Sequence, residues 1–298
     1  MIYDVSGNSL TQVFGLSGSV ASTVYDVNGN PLSGGAVDYD DYIISPLWSR
    51  ASWLYNCQGI EIYNGVLFQF QNDDAVCLFN FANGADITLN MSIESDHGDS
   101  ATFSEEFYDP SDEFPLIYVT ADTSPAKIYV NRITRSTASL IKTLTFPLTA
   151  GYYGAGAFDW QNNICYLLAY KEQNYQTDDG GTNTTVVSKW DLSNLTDNGS
   201  GSYTPAFISQ YERDFIYVMQ GLAYHDGLIW ITSGIGNAPS HIYAMEPDTG
   251  VIKHTITMDD NTEIEGAQFV YDTVLHEYYM VTGQQGGKYK KITFAEAV

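Results

Sequence analysis

The feature that most constrains this chain is a short motif that occurs twice, far apart. QGIEIYNG begins at Gln58, and QGLAYHDG begins at Gln220. Each copy is followed by a second strand-length apolar segment, and the segments end at Asn, Asp or Gly, which are common turn residues. Two copies of one strand–turn–strand unit predict a chain that is built from repeated small sheets.

Strand-length segments continue between and after the two copies. They group into five units of up to four strands, and the last unit has three. No stretch of ten or more residues has the apolar period of a helix. Four strands per unit are typical of β-propeller blades, which cover one another around an axis. We therefore predict an all-β fold: a five-bladed β-propeller over residues 36–298, preceded by a short N-terminal β extension over residues 1–35.

The three-stranded last unit predicts that a strand from the N-terminal side completes it. DYDDYIIS (Asp38 to Ser45) has strand character and precedes the first full unit, and STVYDV (Ser22 to Val27) is the alternative. A strand lent from the other end of the propeller would close the ring and leave few unpaired edges.

A glycine near the start of each predicted innermost strand has a structural explanation, because a missing side chain lets neighbouring blades approach closely. These glycines are Gly59, Gly98, Gly156, Gly221 and Gly266.

The residues just before these glycines are predicted to face one mouth of the central channel. Most of them are polar, which suits a hydroxylated ligand such as a sugar, and aromatic side chains on the same face could stack on sugar rings. The predicted ligand-binding residues are Gln58, His97, Tyr153, Tyr175, Gln220 and Glu265.

The charge excludes several classes of partner. The formal net charge is −24, with 12 Lys and Arg against 36 Asp and Glu. Such a surface repels a phosphate backbone and anionic membranes, so neither nucleic acid nor a membrane is an expected partner. There is no apolar run of membrane-spanning length and no visible signal peptide, so we expect cytoplasmic synthesis without membrane insertion, with release by lysis as a route out of the cell.

MQGLAYHDGLIWITSG, from Met219 to Gly234, resembles the blade motif of plant-type glutamine cyclotransferases. Members of that family are five-bladed β-propellers that cyclise N-terminal glutamine. The family motif has an acidic residue in the second strand, and the aligned positions here are Gln69 and Ile231. General acid–base catalysis needs a titratable group. The resemblance therefore implies the blade architecture, with the family's acid replaced at these two positions.

A second resemblance involves a tandem near the N-terminus. IYDVSGNSL (Ile2 to Leu10) and VYDVNGNPL (Val24 to Leu32) resemble short Tyr-Asp-Val-x-Gly-Asn units of structural and tail-fibre proteins from phages and prophages of gut bacteria. This resemblance implies virion assembly partners. The DVNGN segment fits a hairpin with an Asn-Gly turn, because a calcium loop that starts at Asp26 would have Pro31 and Val37 where Gly and Glu are required.

These features favour a non-enzymatic protein that binds a cell-surface glycan or protein receptor through its axial face, as part of a phage or prophage particle. The alternative is a carbohydrate-active or cyclotransferase-like enzyme with Asp99, Asp159 and Glu265 as carboxylates at the channel mouth. Motifs for phosphate, dinucleotide or zinc binding are absent from the sequence, so no cofactor is expected. The axial acids leave Ca²⁺ open as an alternative ligand.

Overall fold

The computed structural model describes most of the chain from residue 37 onward. The described residues are 2–3, 9–10, 37–49, 57–72, 74–95, 97–121, 123, 125–147, 152–171, 183–215, 218–234, 239–272, 275 and 277–296. They form strands, turns and bends, and no helix is found among them, so none that could span a membrane.

Four-stranded antiparallel units follow one another along the chain. Blade 1 contains β4 (Cys57–Tyr63), β5 (Val66–Gln71), β6 (Ala75–Asn80) and β7 (Asp86–Ser92). Blade 2 contains β8 (His97–Phe103), β9 (Ile117–Ala121), β10 (Ala126–Ile133) and β11 (Ala138–Phe146). Blade 3 contains β12 (Tyr152–Asp159), β13 (Ile164–Tyr170), β14 (Asn183–Gly199) and β15 (Ser202–Phe215).

The last two units follow the same pattern. Blade 4 contains β16 (Met219–His225), β17 (Leu228–Ser233), β18 (His241–Met245) and β19 (Ile252–Thr257). Blade 5 contains β20 (Ile264–Asp272), β21 (Glu277–Gln284) and β22 (Lys288–Glu296), and its outer strand is the N-terminal β3 (Val37–Ser49). β3 includes the segment from Asp38 to Ser45 and pairs antiparallel with β22, with Ile44 opposite Ile292.

The blades are arranged as a ring. The innermost strands β4, β8, β12, β16 and β20 each contact the next, and β20 contacts β4. The apolar core consists of five clusters, and each lies between two neighbouring blades in the same cyclic order. The all-β prediction is confirmed, and the arrangement is consistent with five blades.

Blades 2 and 3 are also joined at their outer edges. β11 and β15 pair in parallel over two positions, with Thr143 opposite Ser202 and Leu144 opposite Tyr203. This contact makes one eight-stranded sheet out of two blades. The long β14–β15 hairpin extends beyond the length of an ordinary blade strand, which lets it reach β11.

The innermost strands β4 and β20 approach each other closely at Gly266, near the start of β20. A Cβ atom on Gly266 would lie 2.8 Å from the backbone nitrogen of Ile60 and 3.1 Å from Cα of Gly59. Only a residue without a side chain fits there, because atoms of two backbones would have to move. The structural explanation for Gly266 therefore holds.

Within the N-terminal extension, β1 (Ile2–Tyr3) pairs antiparallel with β2 (Ser9–Leu10), so the two ends of the first tandem copy meet. The second copy, with its predicted Asn-Gly hairpin, lies outside the described residues.

Candidate functional site

A cavity of about 250 Å³ lies on the propeller axis, towards the ends of the innermost strands. All five blades contribute to its wall. The lining side chains include those of Glu61, Tyr63, Thr102, Phe103, Phe158, Trp160, Tyr224 and Gln268.

A hydrogen bond crosses the axis on the inner side of this cavity. The Leu222 amide of blade 4 donates to Oγ of Ser100 in blade 2, at 2.8 Å. Thr120 holds Ser100 in place, because the Ser100 amide donates to Oγ1 of Thr120 and that hydroxyl donates back to the Ser100 carbonyl. Blades 2 and 4 are not neighbours in the ring, so this contact spans the inner side of blade 3, next to the lining residues Ala101 and Leu222.

Glu61 is a buried carboxyl in the cavity wall, with 2% of its surface exposed. Its Oε1 accepts hydrogen bonds from the Ile62 amide at 3.0 Å and from Nε2 of Gln268 at 2.7 Å. Its Oε2 is buried and has no partner of hydrogen-bonding geometry among the described residues, although the Thr102 hydroxyl and the Phe103 amide lie near the carboxyl.

Burial raises the pKa of Glu61 to about 8, and the nearby donors of Ile62, Thr102, Phe103 and Gln268 offset only part of this effect. The carboxyl is therefore largely protonated at neutral pH. No motif in the sequence pointed to this residue. The available signal was an acidic side chain between Ile60 and Ile62 in an apolar innermost strand, since unpaired acids are rarely buried.

Aromatic rings form much of the remaining wall. Phe158 and Trp160 of blade 3 stack with their centroids 4.9 Å apart. On the side of blades 1 and 2, the rings of Tyr63 and Phe103 are 5.1 Å apart. The indole Nε1 of Trp160 is buried and has no hydrogen-bond partner among the described residues.

Asp159 lies beside the cavity rather than at the predicted mouth. It is the last residue of β12 and is 6% exposed. Its Oδ2 accepts hydrogen bonds from the Tyr224 hydroxyl at 3.1 Å and from Nδ2 of Asn162 at 2.8 Å. Burial and the neighbouring Asp159 raise the pKa of Tyr224, so this tyrosine stays a neutral donor. Asp159 thereby fixes the orientation of one ring of the wall.

The opposite mouth contains the predicted residues Gln58, Gln220 and Glu265, and their neighbours form a hydrogen-bonded network. Nε2 of Gln220 donates to Oε1 of Glu263 at 2.5 Å. Nε2 of Gln285 donates to Glu265 and, at 3.3 Å, to the carbonyl of Cys57, next to Gln58. Gln58 is 6% and Glu265 2% exposed. The network links blades 4, 5 and 1, so these polar groups serve packing between blades.

The structure describes some of the remaining predicted site residues and not others. His97 begins β8 with a φ of 87° and is half-buried at the same mouth as Gln58. Tyr175 and the side chains of Asp99 and Tyr153 lie outside the described part of the chain. Because Asp159 ends its strand while Glu265 stands near the beginning of another, the structure does not bring these two acids together.

Comparison with known proteins gives a fold and no family. No family model matches the chain, and no curated protein matches it in sequence. Among solved structures, glutaminyl cyclase from Myxococcus xanthus superposes with a TM-score of 0.52 at 10% identity, covering 88% of this chain and 100% of that one. The chain is a β-propeller. The WD40 repeats of RRP9 match with a TM-score of 0.42 at 10% identity, over 88% of this chain and 100% of theirs.

The propeller keeps no acid at the two positions aligned with the cyclotransferase motif. Ile231 is fully buried in the cluster between blades 3 and 4. Gln69 is also fully buried, and its Oε1 accepts a hydrogen bond from the Tyr289 hydroxyl between blades 1 and 5. Both positions are part of the core of the propeller.

No group of three or more His, Cys, Asp or Glu side chains suited to a metal ion occurs among the described residues. Asp159 and Glu265, two of the acids predicted for the axis, lie at different ends of their strands. Their placement gives no support to a shared Ca²⁺ site.

Proposed function

We propose that this propeller is a binding protein that takes one sugar unit of a cell-surface glycan into the axial cavity. The supporting observation is the wall of the cavity, which combines aromatic rings with a buried carboxyl whose Oε2 is unpartnered. Aromatic faces stack on sugar rings, and a few polar groups in an apolar pocket give orientation and specificity. A volume of about 250 Å³ is below the range of about 300–1,000 Å³ that holds drug-sized ligands, which favours a single sugar unit.

The proposal places the ligand at the cavity and not at the mouth predicted from the sequence. The polar side chains at that mouth take part in contacts between blades, since Gln220 donates to Glu263 and Glu265 accepts from Gln285. In the cavity, Oε2 of Glu61 and Nε1 of Trp160 lack partners. A ligand gains more from groups that it alone satisfies, because buried polar groups without partners cost free energy.

Removing one ring of the wall tests this proposal. A panel of monosaccharides and bacterial polysaccharides would be titrated against the chain and followed by calorimetry. We expect Trp160→Ala to weaken binding by up to about tenfold, because an aromatic stacking contact contributes about 0.5–1.5 kcal/mol beyond the area that it buries. Phe207→Ala is the matched control, since Phe207 is 52% exposed on β15, away from the cavity. Saccharide binding that survives Trp160→Ala unchanged would exclude the cavity as the site.

We also propose that the chain is part of a phage or prophage particle, in which the propeller meets a cell surface. The support is the tandem Ile2–Leu10 and Val24–Leu32, which resembles units of phage structural proteins. Mass spectrometry of particles purified from a producing culture should find the chain in a fixed ratio to the major capsid protein. Its loss during particle purification would contradict this assignment.

An acid–base enzyme is the second candidate. It is favoured by Glu61, because a carboxyl that is held protonated at neutral pH can act as a general acid. Aryl glycosides and peptides with an N-terminal glutamine would be incubated with the chain and with Glu61→Gln. Turnover that disappears in Glu61→Gln would favour the enzyme, and absence of turnover on the whole panel would leave binding as the function.

A further inference from the structure

Two buried polar atoms in the cavity wall differ in what they need from a ligand. Oε2 of Glu61 and Nε1 of Trp160 both lack a hydrogen-bond partner among the described residues. The indole N–H can only donate, whereas an ionised carboxylate can only accept. The protonated form of Glu61 can also donate, so it is the carboxylate form that calls for a donor. A ligand that binds that form must present an acceptor to Trp160 and a donor to Glu61.

The wall itself favours a positively charged donor. Of the described residues that line the cavity, none is Lys, Arg or His, and Glu61 alone is acidic. Aromatic rings attract cations through their faces. The aromatic side chains around the carboxyl are those of Tyr63, Phe103, Phe158, Trp160 and Tyr224.

We propose that the cavity prefers a sugar unit with a free amino group, whose ammonium binds Glu61 and whose hydroxyl oxygen accepts from Trp160. This inference rests on the proposed function and specifies its ligand. The net charge of −24 favours the approach of such a cation over that of an anion. An acetylated amine would lose both the charge and the compact donor.

Binding of an ammonium has a consequence for protons. Burial in the cavity wall holds Glu61 mostly protonated, whereas an ion pair needs the carboxylate. Binding at neutral pH therefore releases a proton from most molecules. The other titratable groups around Glu61 are Tyr63 on its own strand, Tyr224 on β16 and Asp159 behind Tyr224, while β8 and β20 contribute the neutral Thr102 and Gln268.

The experiment is a calorimetric titration of the full chain with D-glucosamine, N-acetyl-D-glucosamine and D-glucose, in two buffers of different ionisation enthalpy. We expect glucosamine to bind about tenfold more tightly than the two neutral sugars. We also expect its binding, and not theirs, to release a proton. Glu61→Gln should bind all three sugars with similar affinity. Glu212→Gln, which changes an exposed carboxyl on β15, controls for the lost charge and should keep the preference.

The results distinguish failure of the amine preference from failure of the proposed function. Equal affinity of the wild-type chain for the three sugars would overturn the amine preference and leave saccharide binding in place. Glucosamine binding without proton release would remove Glu61 as the partner of the ammonium, and this result needs no variant. If no sugar binds, the proposed function fails, and a titration with tetramethylammonium then decides whether the cavity binds cations at all.

Discussion

Glu61 gives the cavity wall a pH-dependent stability. Its pKa is about 8 in the folded chain and near 4.5 when exposed to water, so the folded state retains the proton over a wider pH range. The corresponding stabilisation is fully present below about pH 4.5 and is lost as the pH rises through about 8.

Replacing this carboxyl by an amide should remove that dependence. We expect the free energy of unfolding of the wild-type chain to fall, relative to Glu61→Gln, by up to roughly 1.4 kcal/mol per pH unit between about pH 5 and about pH 8. Urea unfolding across this interval measures the difference. Parallel pH profiles for the two proteins would show that the carboxyl is already ionised in the folded state.

Gly266 and Gly154 offer a matched test of how closely the innermost strands pack. A Cβ on Gly266 would meet backbone atoms at 2.8 and 3.1 Å, whereas a Cβ on Gly154 would meet the Cβ of Ala126 at 3.3 Å. We expect Gly266→Ala to destabilise the chain by about 1–3 kcal/mol through overpacking. Gly154→Ala should cost less, because its closest contact of 3.3 Å needs a shift of only a few tenths of an ångström, whereas 2.8 Å from a backbone nitrogen is a clash. Thermal unfolding of both variants gives the comparison, and an equal loss in both would contradict it.

At the scale of single elements, β3 is bound to the ring by an aromatic anchor. Tyr39 is 4% exposed, and its ring lies 4.9 Å from that of Trp230 in blade 4 and 5.1 Å from that of Phe294 in blade 5. One side chain of the N-terminal strand therefore packs against both of the last two blades.

Loss of this anchor should loosen the closure of the ring. We expect Tyr39→Ala to lower the free energy of unfolding by about 3–5 kcal/mol, the usual cost of removing a buried aromatic ring. Tyr39→Phe keeps the ring and loses only a 3.4 Å hydrogen bond to Asp226, so it should cost less than about 1 kcal/mol. Urea denaturation measures both variants. A similar loss in the two would assign the stability to the hydroxyl instead.

The elements show what the sequence could and could not predict. Alternating apolar residues and Gly turns mark each strand locally, so the repeat at Gln58 and Gln220 was enough to predict the all-β propeller. The cavity could not be predicted in this way, because Glu61, Phe103, Phe158, Tyr224 and Gln268 come from five different blades. The bond between Ser100 and Leu222 joins residues 122 positions apart, and no local pattern marks either of them.

At the scale of the whole molecule, the net charge of −24 is a source of internal repulsion. Salt at about 0.15 M reduces the screening length to about 8 Å, so it weakens repulsion between more distant charges. We expect the free energy of unfolding to rise as NaCl is added from low concentration to this level. Denaturation in urea at both salt concentrations measures the change. A decrease would mean that attractive ion pairs such as Lys290 with Asp260 outweigh the repulsion.

The hydrogen bond from Leu222 to Ser100 narrows the central channel at the inner end of the cavity. A ligand that occupies the cavity would therefore enter from the other end. Under the proposed function, a glycan would present a terminus or a short branch to the cavity, and not the middle of a long polysaccharide.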